Sequence, residues 1–176
     1  MSARGVFSFP NPVNELSARL VAGGVLIMAV SAIVFDQPWL LIPIAYGFVA
    51  RVLTGPTLSP LGLLATKVVT PRLPLPAKYV AGPPKRFAQG IGATISLAAL
   101  IAYLGFGNSG LAYVLLGLIV GAATLESVFA ICLGCTIFGV LMRWGVIPDE
   151  VCERCNNLQL PSRRQGAVSS SVSRAR

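Results

Sequence analysis

The chain contains no histidine, and only 11% of its 176 residues are charged. The absence of histidine excludes a Ser-His-Asp triad, a Cys-His dyad and every His-containing metal or haem site within the chain. Soluble domains usually have about 25% charged residues. Because 55% of the residues are hydrophobic, a water-soluble core of this size cannot bury all the apolar surface. A soluble enzyme is therefore nearly excluded, and so is disorder in the body of the chain.

Acidic residues are also scarce, since 14 Lys and Arg stand against 6 Asp and Glu and give a net charge of +8. In a soluble protein this balance would indicate nucleic acid as a partner. Here the basic residues avoid the apolar segments and collect in particular loops, a pattern typical of membrane orientation and contact with anionic lipid. Aromatic residues are not interleaved with the basic ones. We therefore expect a lipid bilayer, and no nucleic acid, as the partner of these charges.

Four apolar segments are long enough to cross a bilayer, which needs about 20 helical residues for a core about 30 Å thick. The predicted fold is all-α, an integral membrane four-helix bundle of four transmembrane helices. The predicted spans are residues 16–35, 38–54, 87–106 and 111–132. The last helix is predicted to be long and to continue to residue 143, because residues 121–129 contain no Pro and no cluster of turn-forming residues.

Around these spans the sequence predicts a simple organisation. Residues 1–13 form an N-terminal arm, 14–144 the membrane domain, 145–160 a short cytoplasmic cysteine-rich segment and 161–176 a disordered basic tail. Asn14 is predicted to cap the first helix, with Glu15 at its positive end. Ser59 followed by Pro60 predicts a second helix start, either of a short interfacial helix or of an irregular loop.

The charges predict an orientation. The connection between the first two spans contains Asp36 and no Lys or Arg, and the connection between the last two contains no charge. By the positive-inside rule, both termini and the long middle loop are cytoplasmic in a multi-pass plasma-membrane protein. This alternation requires an even number of spans and so agrees with four. It places all four cysteines at or beyond the cytoplasmic boundary, in a reducing compartment that disfavours permanent disulfides.

The four cysteines, Cys132, Cys135, Cys152 and Cys155, form two CxxC pairs in the pattern C-x2-C-x16-C-x2-C. One interpretation is a set of redox thiols that exchange electrons or sulfane sulfur with a soluble partner, since CxxC spacing lowers thiol pKa values. The other is a tetrahedral site in which all four thiolates bind either Zn(II) or an iron–sulfur centre, at a spacing within the zinc-ribbon range. A third interpretation treats the first pair as small buried apolar residues.

Two further charges lie inside apolar segments. Arg51 and Glu126 both fall near the inner boundary by residue count, where an unpaired charge in hydrocarbon costs several kcal/mol. We expect them to form a structural ion pair. The apolar segments provide no second intramembrane acid or base for a proton path, which argues against a pump.

Four motifs resemble an uncharacterised bacterial membrane family that is common in actinobacteria, domain of unknown function 4395. They are FPNPVNE at residues 9–15, GPTLSPLG at 55–62, ESVFAICLGC at 126–135 and IPDEVCERC at 147–155. The resemblance covers roughly residues 7–158 and includes all four cysteines. It implies a four-span membrane protein without an established activity. Some relatives accompany thioredoxin-like or rhodanese-like proteins, which favours thiol or sulfur handling.

Three functions follow as hypotheses. The first is a membrane thiol redox or sulfur relay, without an independent enzymatic activity, to a cytoplasmic thioredoxin-like or rhodanese-like sulfurtransferase partner. The second is a non-enzymatic membrane scaffold held by a structural four-cysteine zinc site. The third and weakest is a small-solute transporter.

Overall fold

The computed structural model describes residues 13–72 and 79–146, and this part of the chain is almost entirely helical. Its α-helices are α1 (Glu15–Val34), α2 (Leu41–Thr54), α3 (Pro60–Leu63), α4 (Gly82–Phe106), α5 (Ser109–Phe129) and α6 (Leu133–Arg143). A 3-10 turn, Pro38–Leu40, precedes α2; a π-helix, Leu64–Val69, and a 3-10 turn, Thr70–Arg72, follow α3. The two-residue strands β1 (Val13–Asn14) and β2 (Tyr79–Val80) pair antiparallel. The all-α prediction is confirmed.

The long helices pack in a defined order, with α1 against α5, α5 against α4, and α4 against α2. Small residues make this packing close. On α4 a stripe at every third position faces the interior and consists of Ala93, Ser96, Ala99 and Ala102. Small side chains let helix backbones approach one another where lipid supplies no hydrophobic driving force. The core is completed by larger residues of the other helices, among them Val25, Leu41, Ile44 and Leu116.

Capping residues define several of the helix ends. The Asn14 side chain accepts a hydrogen bond from the Leu16 amide at 2.9 Å, and Ser59 Oγ accepts one from the Gly62 amide at 3.2 Å. Both caps satisfy amides that have no partner within their helix. Gly107 ends α4 with a φ of +62°, a conformation that glycine adopts without steric cost. The predicted caps are therefore confirmed, and the segment after Ser59 is helical rather than irregular.

Large apolar side chains face outward on all the long helices. Strongly exposed examples are Ile27, Tyr46, Leu104, Phe106, Val114 and Leu118. Soluble monomers rarely expose apolar surface on this scale. Three helices, α1, α4 and α5, are long and apolar enough to cross a membrane. The apolar stretch Pro38–Thr54 is shorter and spans about 26 Å at a rise of 1.5 Å per residue.

The prediction of one continuous helix to residue 143 is wrong. Helix α5 ends at Phe129, and Ala130 follows in the left-handed region with a φ of +58°. The Ile131 amide donates back to the Leu125 carbonyl at 3.0 Å, which closes the turn. A non-glycine residue in this conformation costs about 1–2 kcal/mol. The hydrogen bonds of the turn offset that cost, and the chain restarts as α6 at Leu133.

Candidate functional site

The break between α5 and α6 positions the first cysteine pair. Cys132 has an extended backbone and is the N-cap residue of α6, and Cys135 follows in the first turn of that helix. The Thr136 amide donates to the Cys132 carbonyl at 3.1 Å, which starts the helical hydrogen-bond pattern. Both cysteines are half-buried, and neither is in a disulfide. The sequence placed this pair inside a helix, whereas the structure places Cys132 on a turn at a positive helix end.

The two thiols are electrostatically unequal. A hydrogen bond from the Cys135 thiol lowers the pKa of Cys132 to about 7, against partial burial and the Glu126 carboxylate, which both act to raise it. Donating that hydrogen bond raises the pKa of Cys135, and burial and the charge of the Cys132 thiolate raise it further. At neutral pH Cys132 is therefore about half ionised, whereas Cys135 stays a protonated thiol. Since the thiolate is the nucleophile in thiol chemistry, Cys132 is the reactive member.

A buried ion pair lies beside the thiols. Lys85 Nζ, in the first turn of α4, donates to Glu126 Oε1, in the last turn of α5, at 2.5 Å. The predicted ion pair between Arg51 and Glu126 is therefore wrong in its partner, because Lys85 occupies the position at the carboxylate. The lysine favours the thiolate of Cys132 and the carboxylate disfavours it. The pair holds both charges next to the cysteines while neutralising each of them.

Arg51 has a different set of partners. Its Nε donates to Gln89 Oε1 at 2.8 Å, its Nη1 donates to Ser59 Oγ at 3.2 Å, and its guanidinium carbon lies 4.7 Å from the centre of the Phe48 ring. The residue is only 6% exposed. Its Nη2 is buried and has no hydrogen-bond partner among the described residues.

A cavity of about 270 Å³ connects these groups. Its walls come mainly from apolar residues of α1, α4 and α5, such as Val25, Ile95 and Ile119. Arg51, Gln89, Glu126 and Cys132 supply its polar lining. A second cavity, of about 230 Å³, also has Arg51 and Gln89 in its lining, together with Lys85. Arg51 and Gln89 therefore border both cavities.

Two contacts hold α6, and with it the cysteine pair, against α4. A methyl group built at Gly134 would lie 2.4 Å from Ala88 Cβ, so the two helices touch where Gly134 has no side chain. One turn later Phe138 packs on Phe87 with ring centroids 5.6 Å apart. From the other side, Arg19 of α1 donates to the Ser127 carbonyl at the end of α5 through Nε and Nη2, at 3.2 and 3.1 Å.

The outcome for the predicted site residues is mixed. The structure brings together Cys132, Cys135 and Glu126, with Arg51 on the same cavity. Cys152 and Cys155 lie outside the described residues. Within the described ranges, no group of three or more Cys, Asp or Glu is placed to hold a metal ion. Sequence reasoning missed Lys85 and Gln89, although their spacing of four residues at the start of an apolar segment predicts a shared polar face.

The family model described as "Domain of unknown function (DUF4395)" matches residues 13–143. The chain belongs to this family. The match covers α1 to α6 and both described cysteines, and so confirms the family named from the sequence motifs, while the motif at residues 147–155 lies beyond the matched residues. No curated protein and no solved structure gives a significant match to the chain. The family description names no function, and the geometry of the site is what indicates an activity.

Proposed function

We propose that this protein is a four-span plasma-membrane thiol relay, whose Cys132–Cys135 pair exchanges electrons or sulfane sulfur with a cytoplasmic thiol protein. One observation carries the proposal: Cys132 is the N-cap residue of α6, and Cys135 lies in the first turn of the same helix, where it lowers the pKa of Cys132 to about 7. A thiolate at a helix N-terminus with a second thiol one turn away is the arrangement that attacks a disulfide and then resolves the mixed disulfide.

The proposed topology adds Pro38–Thr54 to the three long helices as the fourth span. Its 17 residues are at the lower limit for a transmembrane helix, about 17–25. With the basic end of the bundle inside, both termini are cytoplasmic. Cys132 then faces a reducing compartment, where a cycling dithiol is more stable than a permanent disulfide. Arg19, Lys85 and Arg86 contact groups at this same end of the bundle, which agrees with this orientation.

The relay needs a soluble partner, because the described residues form helices and one two-residue ladder rather than a thioredoxin-like fold. A thioredoxin-like or rhodanese-like protein presents the complementary reactive sulfur. Cys152 and Cys155 provide a second pair about twenty residues further along the chain, and we assign them the role of passing the exchange between Cys132 and that partner.

Trapping of a mixed disulfide tests the relay. The probe is a thioredoxin in which serine replaces the resolving cysteine. Its remaining thiol is converted to an activated disulfide, and the probe is then incubated with the purified full-length protein. In a chain that also carries Cys152→Ser and Cys155→Ser, Cys135→Ser removes the last resolving thiol, and we expect a stable adduct on Cys132. The matched variant Cys132→Ser, in the same background, should form little adduct at residue 135. Equal adduct on both variants, or none on either, contradicts the proposal.

A structural zinc site remains the second candidate, and one observation favours it. Because Cys132 lies on a turn between two helices rather than inside one, it has the local geometry that zinc-binding CxxC motifs use. Metal analysis of the purified protein decides between the two. One zinc per chain that is lost both in Cys132→Ser and in Cys152→Ser would support the scaffold and contradict the relay.

A further inference from the structure

The apolar cavity within the bundle has an unused polar group at one end. Most of its lining is aliphatic, and its volume of about 270 Å³ is close to the lower limit of small-molecule sites, about 300 Å³. The exception is the end formed by Arg51, Gln89, Glu126 and Cys132. Such a cavity suits a ligand with an apolar body and a small polar head.

The head must accept a hydrogen bond. Arg51 is 94% buried, since its exposure is 6%, and two of its three nitrogens already donate to Gln89 and Ser59. The remaining nitrogen, Nη2, is buried without a partner among the described residues. A buried donor on a charged group that has no partner destabilises the fold. Arg51 lines the cavity, so a small shift of its side chain would bring Nη2 to an acceptor oxygen there and remove that destabilisation.

The other polar lining limits the kind of acceptor. Glu126 places a carboxylate on the same cavity, and although Lys85 pairs with it, this carboxylate still opposes, by like-charge repulsion, a second carboxylate or a phosphate placed beside it. A neutral carbonyl oxygen meets the arginine without that repulsion. Cys132 also lines the cavity, so a bound head group lies in a compartment with a reactive sulfur.

We propose that this cavity binds a lipid-soluble quinone, with one carbonyl oxygen accepting a hydrogen bond from Arg51, and that the quinone is the electron acceptor of the Cys132–Cys135 pair. This inference rests on the thiol relay proposed above and names its oxidant. The Cys132 thiolate and the Cys135 thiol lose two electrons and form an S–S bond. The S–H bond of Cys135 breaks, and its proton together with one from water forms the two O–H bonds of the quinol.

The experiment uses the full-length protein, reduced and then freed of reductant, in lipid nanodiscs without oxygen. Decylubiquinone is the probe. We expect about one quinol per Cys132–Cys135 pair oxidised, measured by quinone absorbance and by alkylation of the remaining thiols. In a chain that also carries Cys152→Ser and Cys155→Ser, Cys132→Ser should abolish quinol formation, because the single thiol left at residue 135 cannot form an intrachain bond.

Binding is measured separately from turnover. Arg51→Gln removes the donor and should weaken decylubiquinone binding by at least about tenfold. Arg86→Gln is the matched control, because Arg86 is exposed and donates only to the Val52 carbonyl among the contacts described. Ala122→Leu narrows the cavity while Arg51 itself is unchanged, and it should also block binding. If Arg51→Gln fails to fold, Ala122→Leu still tests whether the ligand binds in this cavity.

The outcomes separate the two proposals. Exchange of Cys132 with hydroxyethyl disulfide reports the thiol chemistry without a quinone. If that exchange occurs but decylubiquinone neither binds nor oxidises the pair, the quinone inference is overturned and the relay stands. If neither reaction occurs, both fail. Arg51-dependent binding of oleate in place of decylubiquinone would assign the cavity to a fatty acid and also overturn the inference.

Discussion

Gly134 of α6 lies directly against Ala88 of α4, with no room for a side chain between them. Gly134 is also one of the two residues between Cys132 and Cys135. The contact that docks α6 on the bundle is therefore made inside the cysteine motif itself. It follows that the spacing of the thiols from Lys85 and Glu126 depends on a glycine at this position.

Replacing Gly134 by alanine tests this dependence. The added methyl would overlap Ala88 and push α6 away, at a cost of about 1–3 kcal/mol for overpacking. We also expect the alkylation midpoint of Cys132 to shift, because Lys85 and Glu126 would be further away. Gly139→Ala is the control on the same helix: it meets no atom within 4 Å and should be neutral or stabilising by about 0.5–1 kcal/mol. Thermal unfolding in detergent measures both, and equal effects would contradict this account.

The reactivity of Cys132 should have an unusual pH dependence. Because its pKa is lowered from 9.0 to about 7, the rate of alkylation should rise with pH and reach half its maximum near pH 7. At pH 7 the thiolate fraction is then about 50 times that of an ordinary thiol. A thiolate of lower pKa is intrinsically less nucleophilic. The net rate at pH 7 should therefore be about five to eight times that of an ordinary thiol.

Mass spectrometry of alkylated peptides at a series of pH values measures this rate for each cysteine. In Cys135→Ser the serine hydroxyl is a weaker replacement for the thiol donor, so the midpoint of Cys132 should move upward. If the alkylation midpoint of Cys132 in the wild-type chain lies near pH 9, as for an ordinary thiol, the assignment of Cys132 as the nucleophile is contradicted.

Part of this architecture was predictable from the sequence. The Asn14 cap could be predicted because asparagine just before an apolar segment is a preferred N-cap residue.

The break after α5 could not be predicted. The position that turns the chain is occupied by Ala130, which has a positive φ where glycine or asparagine would have signalled a turn. Tertiary contacts such as Gly134 on Ala88 support that turn, and they involve residues far apart in sequence.

The error in the ion pair has a similar cause. Residue counting placed Arg51 and Glu126 at one depth, and both do line one cavity. Depth does not fix the rotation of a helix about its axis. Helices that are apolar all round give little rotational signal, so the partner of Glu126 could not be chosen between Arg51 and Lys85. The fold class was predicted from composition, so these errors do not affect it. The partners within the site depend on how each helix is rotated about its axis.

The charges beside the thiols should tune Cys132 in opposite directions. Glu126→Gln removes a carboxylate that disfavours the thiolate, so the pKa of Cys132 should fall below about 7. Lys85→Gln removes an ammonium that favours it, so that pKa should rise. The alkylation profiles described above measure both shifts, with Arg86→Gln as a control for a charge lost at the surface. Shifts of the same sign in the two variants would show that the ion pair acts only through folding.

The orientation of the bundle can be tested by labelling from outside the cell. In a chain whose four cysteines are replaced by serine, a single cysteine is placed either at Asn108, between α4 and α5, or at Lys67, in the exposed part of the π-helix. Asn108 lies at the end opposite the basic residues, close in sequence to Tyr113, whose hydroxyl donates to Asp36. By the positive-inside rule, a membrane-impermeant maleimide should label Asn108→Cys in intact cells and should label Lys67→Cys only after the membrane is opened. The reverse pattern would place the Cys132 pair outside the cytoplasm and remove the cytoplasmic partner from the proposed relay.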